Sequence, residues 1–180
     1  MQAVTLIIAI LGLCTAIASL TWNVVAFALQ GARPEVSLYA GIATSHGVTS
    51  GPAKESMVNS IQSMKEENPS ASMVLAVEIV NRGRLPLHVY SLAVLSEPSK
   101  MRYIPGSADM LTDQFPLEIA AGAKANATMM MEPAARLRYA AEHALGKRQT
   151  IRLAVSSSRR EHRTKPVPAR ILDLIPTPND

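Results

Sequence analysis

The chain is 180 residues long, 48% hydrophobic but only 4% aromatic, with a net charge of +4 and an isoelectric point of about 9.5. Such a length holds one small domain beside a membrane segment and no more. A single cysteine excludes an intrachain disulfide framework, so few aromatic rings argue against a stacking platform for nucleic acid, and the modest basic excess suits anionic lipid and ordinary solubility alike.

Met1 to Ala32 carries no Asp, Glu, Lys or Arg. At about 1.5 Å per residue, Val4 to Leu29 exceeds the roughly 20 apolar residues that cross a bilayer core of about 30 Å, which predicts a transmembrane anchor over 1–32. Leu6, Ile10, Leu13, Ile17, Leu20 and Phe27 favour insertion, Thr15 and Thr21 can return their hydroxyls to helix carbonyls, and Trp22 suits headgroup level. Gln30, Gly31 and Pro34 end the span. Two rival readings are weaker. Ala16-Ile17-Ala18 resembles a signal-peptidase site, yet no basic stretch precedes it and the apolar run continues well past it. A wholly buried soluble helix needs a covering domain larger and less polar than the remainder of this chain. Gly12 and Ala16 form a small-xxx-small spacing compatible with a homo-oligomer, and Cys14, inside the span, says nothing about redox compartment. Arg33, following a span with no Lys or Arg before it, leans towards a cytoplasmic C-terminal domain on a single-pass inner-membrane protein.

Residues 33–171 read as one mainly β body with one or two short inserted helices. Val36 to Ala43 alternates well enough for a first strand. The stretch 45–72 is an insertion rich in Ser, Gly, Pro and charge, within which Met57, Ile61 and Met64 fall on one helical face; that face is expected either to cap an open sheet edge or to serve as an adaptable docking surface. Met73 to Asn81 is apolar on both alternating sets, the pattern of a central buried strand. Arg82-Gly83-Arg84 supplies a turn, and Leu87 to Leu95 returns as a strand with Val89, Ser91, Ala93 and Leu95 on one face and His88, Tyr90, Leu92 and Val94 on the other. Met101 to Ile104, Phe115 to Ile119 and Lys124 to Met131 are shorter strands. Pro133 to Leu145 is a helix, opened by proline and stopped at Gly146. Thr150 to Ser156 is a further strand, Ser157 to Arg163 a basic turn, and Thr164 to Ile171 an edge strand protected by Pro166 and Pro168. Residues 172–180 read as a flexible tail.

The run VEIVNRGRLPLHVYSLAVL, then PLEIAAGAKANATMMME and TIRLAVSSSRREHRTKP, resembles the immunoglobulin-like β-sandwich of uncharacterised single-pass membrane proteins of actinobacteria and their phages, which similarly begin with an apolar helix ending in a phrase like LTWNVV. The resemblance implies an immunoglobulin-like antiparallel sandwich behind the anchor and brings no assigned reaction. A phage setting would imply a role in altering the host envelope or excluding other phages. Departing from antibody domains, the chain has no Cys-Trp-Cys hallmark.

Catalytic signatures are absent. There is no G-x-S-x-G elbow, Walker-type loop, H-E-x-x-H, cysteine cluster or calcium loop around Asp109 and Asp113, and His46, His88, His143 and His162 are scattered singly. No cofactor or metal is expected, and the chain does not read as an enzyme. Binding is what remains: a membrane-tethered module presenting loops or a sheet edge to a protein partner, or a basic patch of Arg159, Arg160, Arg163 and Lys165, with His162 and Arg170 and with Arg82 and Arg84 in reach, for anionic lipid headgroups and, more weakly, nucleic acid.

Overall fold

The computed structural model describes residues 2–112, 115–158 and 160–176, without the side chains of 27–30. Helix α1 (Gln2–Gln30) opens the chain. No proline interrupts it, and it stops where Gly31 and Pro34 cannot continue it. Its first 25 residues, Gln2–Ala26, are long and apolar enough to cross a membrane, and none of them is a buried residue. Thr15 and Thr21 return their hydroxyls to the carbonyls of Leu11 and Ile17, both at 2.8 Å, so the span exposes no unsatisfied hydroxyl at those turns.

Two antiparallel sheets follow. In one, β1 (Pro34–Thr44) lies between β2 (Gly47–Pro52) and β3 (Ser72–Asn81), and β3 is flanked in turn by β7 (Lys124–Met130). In the other, β4 (Leu87–Glu97) and β8 (Thr150–Ser157) are central, with β9 (Glu161–Arg163) beside β8, and β5 (Arg102–Tyr103) and β6 (Leu117–Ile119) beside the two halves of β4. Both sheets contribute to one core that includes Leu75, Val77 and Ile79 of β3, Leu92 and Val94 of β4, and Leu153 and Val155 of β8. Each such side chain contributes about 1.5–3 kcal/mol through burial.

As its pattern requires, β3 is the buried centre of its sheet, with Val74, Leu75, Val77 and Ile79 fully enclosed. Strand β4 departs from simple alternation. Its register against β8 slips between Val89 and Ser91. This bulge turns Leu87, Val89, Leu92 and Val94 all towards the core, although a regular strand would send the first two and the last two to opposite faces.

Three helices gather at the end of the body far from α1. β1 leaves α1 at Pro34 and reaches Ala43, opposite Ser72; α2 (Met57–Glu67) leads into β3 there, and α3 (Glu132–Leu145) leaves β7 there. Pro133 occupies the first turn of α3, and Gly146, in the left-handed region at φ 61°, ends it with its N–H on Glu142, a conformation that favours glycine. Helix α4 (Ala169–Leu172) contributes Ile171 and Leu172 to the core.

Three expectations are corrected. The 45–72 insertion begins with a strand, β2, which pairs along β1 from Tyr39–Pro52 to Thr44–Gly47. The stretch 164–171 follows the edge of β8 only as far as Val167, with the N–H groups of Thr164 and Val167 on the Leu153 and Ile151 carbonyls, and then turns into α4, which buries Ile171 and Leu172. Residues 172–176 are no loose tail: Leu172 is in the core, Leu174 and Ile175 pack against it, and Arg138 of α3 binds the Asp173 carboxylate and the Ala169 carbonyl. Residues 177–180 lie outside the described residues.

Candidate functional site

The most constrained feature outside the core is the junction where α1 meets the body. Asn81, at the end of β3, is completely buried. Its side-chain oxygen accepts from the backbone N–H of Gly83 at 3.0 Å and of Arg33 at 3.3 Å, while its amide donates to the carbonyls of Leu85, Ile119 and Ala120 at 2.8, 3.1 and 3.3 Å. One short side chain thereby ties the exit from α1, the β3–β4 turn and the β6–β7 turn together. The Arg82 N–H adds a bond to the Arg33 carbonyl at 2.8 Å. Gly83 fits against the chain leaving the helix so closely that a Cβ there would lie 2.2 Å from the Gly31 carbonyl oxygen and 2.6 Å from the Arg33 nitrogen. Asparagine and glycine are common turn residues, which explains why only a turn was legible here.

The turns at this end carry charge. Arg82 pairs with Glu35 at 2.9 Å and Lys124 with Glu78 at 3.0 Å, and the Glu78 carboxylate raises the Lys124 pKa through that bond. Arg84 is exposed with no ion-pair partner among the described residues, and Leu85 beside it is 54% exposed. Since Val89 pairs with Ser157, the β8–β9 turn carrying exposed Arg160 lies at the same end.

Within the expected basic patch, acidic side chains of the same sheet engage Arg163. Arg159 lies outside the described residues. Arg160 is at the α1 end, whereas Arg163 lies on the outer face of the second sheet, held by Glu97 at 2.8 Å and Glu161 at 3.0 Å. Glu97 also takes Arg152 at 3.0 Å, and Glu161 takes Arg102 at 2.7 Å. Arg163 is therefore engaged in a network of three arginines and two glutamates, with its side chain still half-exposed. Lys165 and Arg170 are exposed farther along, past β9. The periodicity could not reveal this, because one partner acid, Glu97, comes from β4, sixty-six residues before Arg163, and the other, Glu161, is shared with Arg102 from β5.

The expected docking face also turns inward. Ile61 is fully buried, and Met57 and Met64 are partly buried against the core, with α2 packed on β1, β3 and α4. An apolar stripe on a short helix finds its own domain before it finds a partner. The anchor residues behave oppositely: Leu6, Ile10, Leu13, Ile17, Leu20 and Trp22 are all exposed, Trp22 at 72%. The side chain of Phe27 lies outside the described part.

Among the described residues, no group of three or more His, Cys, Asp or Glu is placed to hold a metal. Ser157 Oγ lies 3.3 Å from His162 Nε2, but the hydroxyl also bonds the Arg160 carbonyl at 3.1 Å. That arrangement braces the β8–β9 turn; no described carboxylate orients the far side of the ring, as a nucleophile–base pair would need. Burial, and secondarily the Arg160 charge, lower the His162 pKa. Tyr103 donates to the Asp109 carboxylate, and this bond, reinforced by burial, raises the phenol above its usual range.

Against this geometry, comparison with protein-family models, with curated proteins and with solved structures finds no match to the chain.

Proposed function

We propose that the chain is a single-pass inner-membrane protein whose C-terminal body is an immunoglobulin-like interaction module, acting by binding another protein at the membrane rather than by catalysis. The observation that carries the reading is the union of an apolar helix with no protein cover and a folded body locked onto its exit by Asn81 and Gly83. Lipid is the medium that suits the first, and a surface held at fixed orientation is what the second supplies.

Strand order supports the immunoglobulin-like part. The orders β1-β3-β7 and β4-β8-β9 correspond to A-B-E and C-F-G of immunoglobulin sandwiches, with α3 standing in the E–F connection. For the partner, the exposed strand β2 supports edge pairing: it is the outer strand of its sheet and is open to solvent along most of its length. Extended segments add to such edges through main-chain hydrogen bonds. An envelope-modifying or phage-exclusion role is the biological setting we propose from the sequence resemblance.

Two measurements test the reading. With Cys14→Ser and a new cysteine at exposed Ser50, a membrane-impermeant maleimide should label only after lysis if the body is cytoplasmic; labelling of intact cells places it outside and reverses the orientation. A photo-crosslinker at Val48 of β2 should trap a discrete partner in native membranes, and the same probe at Leu111, beside β7, should not. Adducts confined to this chain at Val48 refute the edge partner.

A further inference from the structure

We infer that the β3–β4 turn, Arg82 to Pro86, is a foot that stands on the bilayer: Arg84 binds the phosphate of anionic lipid headgroups while Leu85 enters the interface, an inference that rests on the reading of α1 as membrane-spanning.

Position comes first. Gly83 touches the backbone of Gly31, Ala32 and Arg33, so the turn sits at the level where the chain leaves the helix. Helix α1 has 29 residues, about 43 Å at 1.5 Å per residue, against a hydrocarbon core of about 30 Å and about 40–45 Å with the headgroup regions. With the helix centred on the bilayer, its last turn falls in the headgroup region, and the foot falls with it. In immunoglobulin terms the turns at this end are B–C and F–G, the loops that variable domains use for binding. Here they are aimed at the membrane from which the first strand emerges.

Chemistry comes second. Lysine and arginine near an anionic surface each gain about 1 kcal/mol, and a guanidinium holds phosphate through paired N–H groups. Arg82 is occupied by Glu35 and Lys124 by Glu78. Arg84 and, on the neighbouring turn, Arg160 are exposed with no ion-pair partner among the described residues. Leu85 is the exposed large apolar residue of the β3–β4 turn, at 54%, directly between Arg84 and Pro86. A cation followed by an outward leucine suits a surface with phosphate above and hydrocarbon below. Burial of Asn81 beneath the turn holds its backbone in place, so no ordering of a loose loop opposes the contact.

The test uses the full chain with Cys14→Ser, reconstituted into vesicles of phosphatidylcholine with or without phosphatidylglycerol. A nitrobenzoxadiazole fluorophore is placed on Leu85→Cys, on Leu13→Cys in mid-helix, or on His46→Cys in the β1–β2 turn at the far end, and quenching by spin-labelled lipids is measured. The Leu85 label should be quenched by headgroup spin labels in phosphatidylglycerol vesicles, the His46 label should not, and Arg84→Gln should lower the ratio of membrane-contacting to water-exposed Leu85 label about fivefold. If the Leu13 label is quenched by acyl-chain spin labels but the Leu85 label behaves like His46, the anchor stands and the foot is overturned. That is the result expected if Trp22 sits at headgroup level, which lifts Gly31 about 13 Å clear of the hydrocarbon. Quenching at Leu85 that ignores both phosphatidylglycerol and Arg84→Gln overturns headgroup binding. If the Leu13 label is also unquenched, the membrane-spanning reading fails and the foot fails with it.

Discussion

Asn81→Ala is the substitution that most directly tests the junction. It removes a side chain that accepts from Gly83 and Arg33 and donates to Leu85, Ile119 and Ala120. Three of these bonds, at 2.8, 3.0 and 3.1 Å, are well formed, and at about 1 kcal/mol net each they amount to about 3 kcal/mol. Gly83 is buried, so its N–H is left without an acceptor and the loss rises towards about 4 kcal/mol. For a body of this size, that lowers the melting temperature by about 10 °C. The assay is thermal loss of the β-sheet circular dichroism signal of the full chain in detergent micelles, with Asn126→Ala, exposed on β7, as control. A shift under about 3 °C, or one no larger than the control's, refutes the idea that one buried amide holds three segments together.

Gly83→Val should cost about 1–3 kcal/mol by overpacking, since the atoms it meets are backbone of Gly31 and Arg33, and limited proteolysis between Gly31 and Pro34 should accelerate; an unchanged cleavage rate would show that the exit is not packed as described. Ile61→Ala, at a fully buried position, should destabilise by about 2–5 kcal/mol, read as a fall in the urea midpoint; a neutral result would return α2 to the surface as a docking element. His162 has a folded pKa below its ordinary 6.5 because of burial. The unfolded chain then binds more protons in the window between the two values, so this contribution to stability is complete above about pH 6.5 and is lost as pH falls through the folded pKa. Urea midpoints taken from pH 7.5 downward should decline, and His162→Gln should flatten that decline; identical slopes would remove His162 from the account.

What could be read from the sequence followed burial. Val74, Leu75, Val77 and Ile79 announced a strand enclosed on both faces, and β3 is one. The charge-free run before Ala32 announced α1, and Pro133 with Gly146 framed α3. What could not be read depended on partners distant in the chain. β2 carries only Gly, Val, Thr, Ser and Pro, and is a strand because the edge of β1 is there to pair with. The bulge near Tyr90 leaves no mark in composition, yet it re-aims half of β4. Arg163 looked like a free cation because Glu97 lies sixty-six residues before it. Arg84 was legible as a turn residue; that it and Leu85 stand beside the helix exit is a consequence of Asn81, which no periodicity marks.

The pairing of β1 with β3, in unbroken register from Pro34–Asn81 to Ala43–Ser72, also gives the molecule a mechanical character. A force drawing the body away from the membrane enters through Pro34 and runs along β1. Antiparallel hydrogen bonds lie across the strand, so such a pull strains the whole β1–β3 ladder together, and on its other side the β1–β2 ladder as well, rather than opening bonds one after another from an end. Resistance to forced detachment is then set by how fast that entire ladder shears. The strand that joins the body to its helix doubles as a mechanical tie.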